Sequence, residues 1–194
     1  MKISEQVMRE FHDCMDAAVK AGEIEPTAMT VASAGLAGGI SARTVLLKNF
    51  DERGFVFYTN LQSNKGMQLS ANPQAALVFH WKTIKRQVLV EGRVEPVSDA
   101  EADAYFDSRD RGSQLGAWAS QQSRPLKNRA ELLKNVVACE ARHFGRPVPR
   151  PPHWSGLRVI PHIIEFWTHR NSRLHDRFRY TLEDNTWNKQ RLYP

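Results

Sequence analysis

Cysteine is scarce in this sequence, with only Cys14 and Cys139 among 194 residues. The two lie far apart and match no metal-ligand or redox spacing, so we expect two reduced thiols in a cytoplasmic protein. Cys14 falls within a helical pattern, which favours a place in the core over a reactive role. The histidines are scattered without the spacing of metal ligands and no nucleophilic triad is recognisable, so no metal site is predicted.

Long apolar runs are absent as well. No run approaches the ~20 residues that a membrane-spanning helix needs. The N-terminal stretch MKISEQVMREFHDCMD is too acidic and too broken for a signal peptide. The sequence therefore predicts no membrane partner. The phosphate loops GxGxxG and GxxxxGK[ST] are also missing, so a bound phosphate must be held by side chains and by amides at strand ends.

Positive charge is in excess, with 27 lysines and arginines against 21 acids and a net charge of +6. This balance suits an anionic partner, which could be nucleic acid, a membrane surface or a small phosphate, although ordinary surface charge explains it equally well. The stretch RNSRLHDRFRY at 170–180 concentrates the cations. If it is a strand, one face carries Arg173, His175, Arg177 and Arg179. Because a row of like charges is unfavourable in a sheet, this row predicts an anionic ligand.

Hydrophobic periodicity and turn signals predict helices around an antiparallel barrel. Helices are expected at 4–21, at 64–71 after the N-cap Ser63, from a capping box at Ser98 to about Arg109, and at 126–144. Short strands are expected at 27–34, 42–48, 54–60, 75–81, 86–97, 157–160, 162–167, 173–182 and 186–194. Regular strand–helix alternation is missing, which argues against a doubly wound fold and favours a mainly β (α+β) barrel with peripheral helices.

The length favours one domain over 1–194. We expect its parts to be an N-terminal helix in 1–24, a helical insertion in 98–144 and C-terminal strands in 157–194. The Pro-rich segment 145–154 is interpreted as a stiff surface connector rather than a domain linker, because strands resume after it.

Polar side chains interrupt the predicted elements at several places. Arg43 opens one strand and Lys48 closes it, and their spacing puts them on opposite faces, either as two anion contacts or as solvated strand ends. Tyr105 and Arg109 would share a helix face, with Ser113 just beyond its end. A phenol, a guanidinium and a hydroxyl within reach of one point can hold a phosphate. The alternative is a core tyrosine beside an unrelated surface arginine.

Three further features have two interpretations each. The loop 120–124 carries amides and hydroxyls that could bind a heterocycle or a phosphate, or could simply be solvated. Trp167 could stack on a flat ring or fill the barrel end. His175 could hydrogen-bond a substrate or lie on the surface. Many cations and amides without an acid–base pair suit a protein whose chemistry is carried by a phosphorylated cofactor.

Seven motifs, taken together, resemble a known family. They are RTVLLK (43–48), FYTN (57–60), SNKG (63–66), RQVLVEG (86–92), SRDRGSQLGAWASQQS (108–123), IEFW (164–167) and RLHDR (173–177). In order and spacing they resemble the pyridoxine/pyridoxamine 5′-phosphate oxidases over 25–194. The resemblance implies an FMN-binding split β-barrel that works as a homodimer with FMN at the subunit interface.

The same resemblance implies an activity. Such enzymes oxidise pyridoxine 5′-phosphate or pyridoxamine 5′-phosphate to pyridoxal 5′-phosphate. A hydride passes to the flavin, and dioxygen reoxidises the flavin and is released as hydrogen peroxide. A flavin that carries the chemistry explains why the sequence shows no protein nucleophile.

Matching positions also imply the site residues. FMN would be contacted by Arg43, Thr44, Val45, Leu46, Leu47, Lys48, Tyr58, Thr59, Lys65, Gln87, Gln122, Ser123, Trp167 and Arg177. The substrate phosphate would be held by Lys48, Tyr105, Arg109 and Ser113. The pyridine ring would lie against Arg173, Leu174 and His175. Among these, Arg173 and His175 would be catalytic, because they orient the carbon that loses hydride.

The sequence departs from the family pattern at two places. Asn64 stands where many relatives have arginine. The chain also begins close to its first helix, where longer relatives carry a segment that can fold over the site.

Two other functions are possible alternatives. One alternative is a split-barrel flavin oxidase of another substrate, such as a phenazine precursor, which would not need the retained phosphate contacts. The other is a basic nucleic-acid-binding barrel, but the cations fall on separate elements and form no continuous stripe.

Overall fold

The computed structural model describes residues 2–194. Its α-helices are α1 (Glu5–Lys20), α2 (Asn64–Ala71), α3 (Asp99–Asp107), α4 (Arg111–Ala119) and α5 (Arg129–Arg142). Its strands are β1 (Ala28–Ala34), β2 (Ile40–Leu46), β3 (Asn49–Asp51), β4 (Gly54–Asn60), β5 (Gln74–Trp81), β6 (Arg86–Pro96), β7 (Trp154–Thr168), β8 (Asp176–Glu183) and β9 (Thr186–Leu192). A 3₁₀ turn at Asn171–Arg173 precedes β8. Within 2–194, no helix has the length and apolarity needed to cross a membrane.

The strands form a single antiparallel sheet in the order β2-β1-β5-β6-β7-β4-β3, and β8 pairs with β7 while β9 pairs with β8. The long strand β7 organises this sheet. One of its edges pairs with β6 along most of its length, and its other edge pairs first with β4 and then with β8. The two ends of β7 therefore face different parts of the molecule, which decides where the predicted site residues lie.

The main core lies between the curled sheet and α1. Helix α1 buries one apolar stripe, Val7, Phe11, Cys14 and Ala18, at the spacing that places residues on one helix face. The ring of Phe11 lies 5.1 Å from those of Phe55 and Phe79, in edge-on contacts that favour aromatic packing. Cys14 is buried as predicted, and burial raises its pKa. Both cysteines are free thiols, as expected.

A second, smaller core holds the helical insertion on the barrel. Phe106, Leu115, Val148 and Trp154 are its buried members. Because Trp154 is the first residue of β7, this cluster fixes α3 and α4 against that end of the strand. The two predicted N-caps are confirmed. The side chain of Ser63 accepts a hydrogen bond from the first turn of α2, and that of Ser98 accepts one from the first turn of α3.

Several predicted boundaries are wrong. Strand β3 lies between the expected strands 42–48 and 54–60, in a segment expected to be a turn. The expected strands 157–160 and 162–167 form one strand, because β6 pairs with both halves across a bulge between Glu91 and Gly92. A Cβ on Gly92 would lie 2.3 Å from the Ile160 carbonyl oxygen, so the bulge needs glycine. Within the predicted helical insertion, α4 was not expected as a separate helix, and the helix expected to run to about Arg109 ends at Asp107.

Candidate active site

A cavity of about 480 Å³ opens between the barrel and the helical insertion. It is lined by Thr44, Val45, Leu46, Lys48, Tyr58, Thr59, Asn60, Lys65, Tyr105, Arg109, Ser113, Gly116, Ala117, Ser120, Gln122 and Trp154. Three of these side chains are cationic and none is a carboxylate. A concave surface with one sign of charge favours an anionic ligand. We call it the cationic cavity.

Arg109 gives the most direct sign of a missing ligand. Its Nη1 is buried and has no hydrogen-bond partner within residues 2–194. Its guanidinium carbon lies 4.9 Å from the ring centroid of Trp154, a cation–π contact that holds the group in place. Burial lowers the pKa of Arg109. Because a buried donor without an acceptor is unfavourable, the site suits a ligand that brings one, such as a phosphate oxygen.

Tyr105, Arg109 and Ser113 reach the cavity by a route that the sequence did not predict. Arg109 does not share a helix face with Tyr105, because it lies in the connection between α3 and α4. Asp110 begins α4 by accepting a hydrogen bond from the Ser113 amide at 2.8 Å. This cap lets the chain turn sharply after α3 and start a new helix. All three predicted residues nevertheless line the cavity.

A stack of aromatic rings forms one side of the cavity. The Tyr58 ring lies 3.9 Å from that of Tyr105 and 5.2 Å from that of Trp154, with interplanar angles of 18° and 14°. The Tyr58 hydroxyl donates to the Glu101 carbonyl oxygen at 3.3 Å. Burial is the main reason that the pKa of Tyr58 is raised, so the phenol stays neutral. The stack gives the cavity a rigid wall beside its cations.

Lys65 lies in the first turn of α2. Its Nζ donates to Thr59 Oγ1 at 3.0 Å and to Gln122 Oε1 at 3.2 Å, so both of its partners are neutral. Burial lowers the pKa of Lys65, and the nearby charge of Arg43 lowers it further. Two neighbouring cations without a carboxylate repel each other, and a bound anion would relieve that repulsion. Asn64, the neighbour of Lys65, is exposed and does not line the cavity.

Arg43 is held inside a polar network beneath β1 and β2. It donates to the Val31 carbonyl oxygen at 3.1 Å and to the hydroxyls of Ser33 and Ser41. Both hydroxyls in turn donate to Gln68 Oε1 on α2. Desolvation lowers the pKa of Arg43. Arg43 therefore lies close to Lys65 without lining the cationic cavity itself.

A second set of predicted residues meets elsewhere, on the sheet. Gln87 pairs with Trp167 across β6 and β7, and Trp167 pairs with Arg177 across β7 and β8. Paired residues on adjacent strands point to the same face. These three residues, far apart in sequence, thus form one cross-strand row. Arg177 is also bonded to buried Glu165, which raises the pKa of the arginine.

Arg173, Leu174 and His175 do not lie in a strand, which corrects the predicted strand at 173–182. They belong to the loop 169–175, because Asp176 is the first residue of β8 and pairs with Thr168. Arg173 has a φ of 62°, in the left-handed region that is unfavourable for residues other than glycine. The predicted shared face of a strand is therefore wrong for Arg173 and His175.

His175 is oriented by two contacts. Its ring centroid lies 4.6 Å from that of Trp167, at the end of the cross-strand row. Its Nδ1 is 3.1 Å from the Arg170 amide, which donates to it, so Nε2 carries the proton when the ring is neutral. The loop thus places the His175 ring beside Trp167 even though the two residues are eight positions apart.

The cationic cavity and the cross-strand row occupy opposite ends of β7. Thr59, in the cavity, pairs with Ser155, whereas the row crosses β7 at Trp167. Twelve residues of extended strand span roughly 40 Å, an upper limit because the sheet curls. None of Gln87, Trp167, Arg173, His175 and Arg177 lines the cavity. Within one chain, the predicted site residues therefore lie in two separate places.

Four predicted contacts fall outside both groups, and Arg43, in its polar network, is the first of them. Leu47 is buried in the main core, and Leu174 is exposed on the loop 169–175. Ser123 has a φ of 71° and lies in the loop that joins α4 to α5. In the polar loop 120–124, Ser120 and Gln122 line the cavity. The prediction that this loop contributes a side-chain amide to the site is therefore consistent with the position of Gln122.

Similar proteins identify the family of this chain. Residues 15–143 match the family model described as pyridoxamine 5′-phosphate oxidase. The pyridoxine/pyridoxamine 5′-phosphate oxidase of Myxococcus xanthus (strain DK1622) is 57% identical over 96% of this chain and 91% of that protein. The chain belongs to the pyridoxamine 5′-phosphate oxidase family. The resemblance stated from the seven motifs is thereby confirmed.

Two solved structures have the same fold as this chain. PhzG from Burkholderia lata 383, in complex with tetrahydrophenazine-1-carboxylic acid, has a TM-score of 0.91 and 31% identity, covering 96% of this chain and 92% of that one. A pyridoxamine 5′-phosphate oxidase-related, FMN binding protein from Nostoc punctiforme has a TM-score of 0.78, 15% identity and full coverage of both chains. The predicted antiparallel split barrel with peripheral helices is confirmed.

The family match also covers the C-terminal strands. Residues 154–194 match the region described as the pyridoxine 5′-phosphate oxidase C-terminal dimerisation region. This supports the predicted homodimer. The same segment carries Trp167, Arg173, His175 and Arg177, so most of the second group of predicted residues lies in a dimerisation region.

Sequence reasoning missed several residues of the site. Asn60 and Trp154 line the cavity, and Glu165 neutralises the arginines of β8. The IEFW motif contained the only available signal for Glu165, an acid within an apolar run. Its role was not visible, because the partners of a strand residue depend on register with strands elsewhere in the sequence.

Proposed function

We propose that this protein oxidises pyridoxine 5′-phosphate or pyridoxamine 5′-phosphate to pyridoxal 5′-phosphate with FMN as cofactor. The observation that carries the proposal is the buried, unpartnered Nη1 of Arg109 in a cavity without carboxylates. It lies among the residues that the family resemblance assigns to a substrate phosphate. The 57% identity to the Myxococcus xanthus enzyme supports the same activity.

The residues present suit FMN. Lys65 and Arg43 form a cation pair without an acidic partner, which fits a phosphate group. Thr44, Val45 and Leu46 line the cavity from the edge strand β2 and can contact the flavin. When bound, FMN would supply the hydride acceptor, and dioxygen would regenerate it with release of hydrogen peroxide.

The substrate phosphate is proposed to bind in the same cavity, among Lys48, Tyr105, Arg109 and Ser113. Arg109 can donate its free N–H groups, and Ser113 and Tyr105 can add hydroxyl donors. Held on Trp154, Arg109 keeps a fixed direction, which orders the substrate before reaction. The phosphate contacts then hold the substrate ring at one position along the cavity wall.

FMN is proposed to lie at the interface of a homodimer. The cross-strand row and the loop 169–175 are separated from the cavity along β7, and they fall in the segment that matches a dimerisation region. A second copy could bring Gln87, Trp167 and Arg177 to the flavin and Arg173 and His175 to the substrate ring. Two copies would then complete two equivalent sites, as a twofold interface requires.

Arg173 and His175 would orient the carbon that loses hydride. The His175 ring is fixed by the Arg170 amide, which donates to Nδ1, so its Nε2–H can act as a donor toward the substrate. Arg173 adds a cation that can hold a hydroxyl, an amine lone pair or the phenolic oxygen on the substrate ring. Neither residue needs to bond covalently to the substrate, since the cofactor carries the electrons.

The purified protein tests this proposal directly. We expect a yellow protein whose flavin absorption band survives desalting and whose addition to pyridoxamine 5′-phosphate yields pyridoxal 5′-phosphate and hydrogen peroxide. An FMN-loaded sample that leaves both phosphorylated substrates unoxidised would contradict the activity.

A phenazine precursor is the second candidate substrate, because PhzG, a relative of this chain, was solved with tetrahydrophenazine-1-carboxylic acid. The higher identity to the Myxococcus xanthus enzyme favours the phosphorylated substrate. Turnover of pyridoxamine 5′-phosphate and of the reduced phenazine, measured side by side, distinguishes the two.

A further inference from the structure

A cluster of ion pairs surrounds one buried arginine next to α3, the helix that carries Tyr105. Arg158, on β7, has a side chain that is only 4% exposed. Its Nη1 donates to Asp51 Oδ1 at 2.9 Å, and its Nη2 donates to Glu101 Oε1 at 3.0 Å. Arg53 contacts the same two carboxylates from a more exposed position, with 51% of its side chain exposed. We call these four residues the Arg158 cluster.

The cluster ties three elements together. Asp51 belongs to β3, Arg158 to β7 and Glu101 to the first turn of α3. Glu101 also completes the capping box of α3, with Oε2 accepting from the Ser98 amide at 3.3 Å. Burial alone would raise the pKa of Glu101, but its hydrogen bonds and the nearby arginines outweigh that effect and lower it. The carboxylate that begins α3 is thus ionised and bonded to the barrel.

Helix α3 connects the Arg158 cluster with the cationic cavity. The Glu101 carbonyl oxygen accepts the Tyr58 hydroxyl, and Tyr105 stacks on the Tyr58 ring one turn later. Arg109 follows directly after the helix. On the far side of α3, Arg150 binds Asp99 and Asp103, so the helix remains attached even if one anchor is lost.

We propose that Arg158 is a positioning residue for the substrate phosphate: it fixes the start of α3 on the barrel and thereby sets where Tyr105 and Arg109 meet the ligand. Arg158 does not line the cavity and touches no proposed ligand atom, so it acts through α3 alone. This inference rests on the proposed function, because it concerns the same phosphate site. A fully buried arginine between two carboxylates is directional, since its planar donors fix both partners at once.

The test compares Arg158→Met with the wild type as FMN-loaded enzymes. We expect the KM for pyridoxamine 5′-phosphate to rise about 10-fold, with kcat changed less than about 2-fold and FMN retained. The inhibition constant of inorganic phosphate, used as a probe of the same site, should rise by a similar factor. Arg158→Lys keeps one of the two contacts and should fall between the two proteins.

Two further variants separate positioning from general damage. Arg53→Met removes an exposed arginine from the same carboxylates and should change KM less than about 2-fold. In a double variant, Arg158→Met should add little to the KM increase caused by Arg109→Ala, because both act on one contact. If Arg158→Met is recovered unfolded, Asp51→Asn weakens the same cluster more mildly and is measured in its place.

The outcomes are distinct. A folded Arg158→Met enzyme with an unchanged KM, or a double variant whose two effects multiply, overturns the positioning role while leaving the proposed function intact. A wild-type enzyme that does not oxidise pyridoxamine 5′-phosphate removes the proposed function itself, whatever the variants do.

Discussion

Arg177 donates from Nε to Glu165 Oε1 at 2.8 Å, across the pair of strands β7 and β8. The other oxygen of Glu165 accepts two bonds from Arg179. Glu165 is only 2% exposed, so one buried carboxylate joins two arginines of the same strand. This explains how β8 tolerates neighbouring cations, which would otherwise repel each other. It also holds Arg177 beside Trp167.

Glu165→Ala is expected to lower both stability and FMN affinity. Removing one partner of a fully buried pair costs about 3–5 kcal/mol, and the loss here should be smaller because the two arginines left behind are 29% and 36% exposed. Thermal unfolding and FMN titration of the deflavinated protein measure the two effects. Glu95→Ala, which breaks an exposed pair with Arg93, serves as the control and should be nearly silent. Equal effects of the two changes would contradict the role given to Glu165.

Arg109→Ala is expected to raise the KM for the phosphorylated substrate. A charged hydrogen bond is worth about 1.5–3 kcal/mol, which corresponds to roughly 10- to 100-fold in affinity. FMN should stay bound, because Lys65 and Arg43, the cations proposed for its phosphate, are unchanged in this variant. Steady-state kinetics with pyridoxamine 5′-phosphate measure the change, with Arg93→Ala as the matched surface control. An unchanged KM would exclude a role for Arg109 in binding the phosphate.

Arg173→Ala and His175→Ala are each expected to lower turnover by about 10- to 100-fold, because the substrate ring loses its orientation. The flavin spectrum should persist in both variants. His162→Ala, an exposed histidine on β7, is the control and should keep full turnover. If both site variants instead lose the flavin, the two residues belong to the FMN site and the assignment to the substrate is wrong.

FMN affinity is expected to fall at alkaline pH through Lys65. Burial first, and Arg43 second, lower the pKa of this lysine in the free protein. A bound phosphate raises that pKa again, so affinity is full below the lowered pKa and falls as pH rises through it. FMN titrations across neutral and alkaline pH measure the dependence.

Lys65→Met provides the control for that dependence. It should bind FMN about 10- to 100-fold more weakly near neutral pH, since one charged contact is lost. It should also lack the part of the alkaline decline that is due to Lys65, while any ionisation of the flavin ring remains common to both proteins. Parallel pH profiles for the variant and the wild type would rule out Lys65 as the titrating group.

The sequence alone determined the local features of this protein. Alternating apolar residues located most strands, and Ser63 and Ser98 marked helix starts, because capping needs only neighbouring residues. The seven ordered motifs identified the family and its fold. The polar positions that line the cavity were also recognisable, including Lys48, Tyr105 and Arg109, since the motifs fix residue types at given positions.

Only the tertiary structure decided how these positions combine. Pairing of Thr168 with Asp176 fixes where β8 begins, and it moves Arg173 and His175 out of the strand into a loop. The register of β7 brings Glu165 to the arginines of β8 and puts the cavity and the cross-strand row at opposite ends of one strand. Register and sheet neighbours depend on residues far apart in sequence, so no local pattern contains them. The burial of Arg158 and its anchorage of α3 have the same origin.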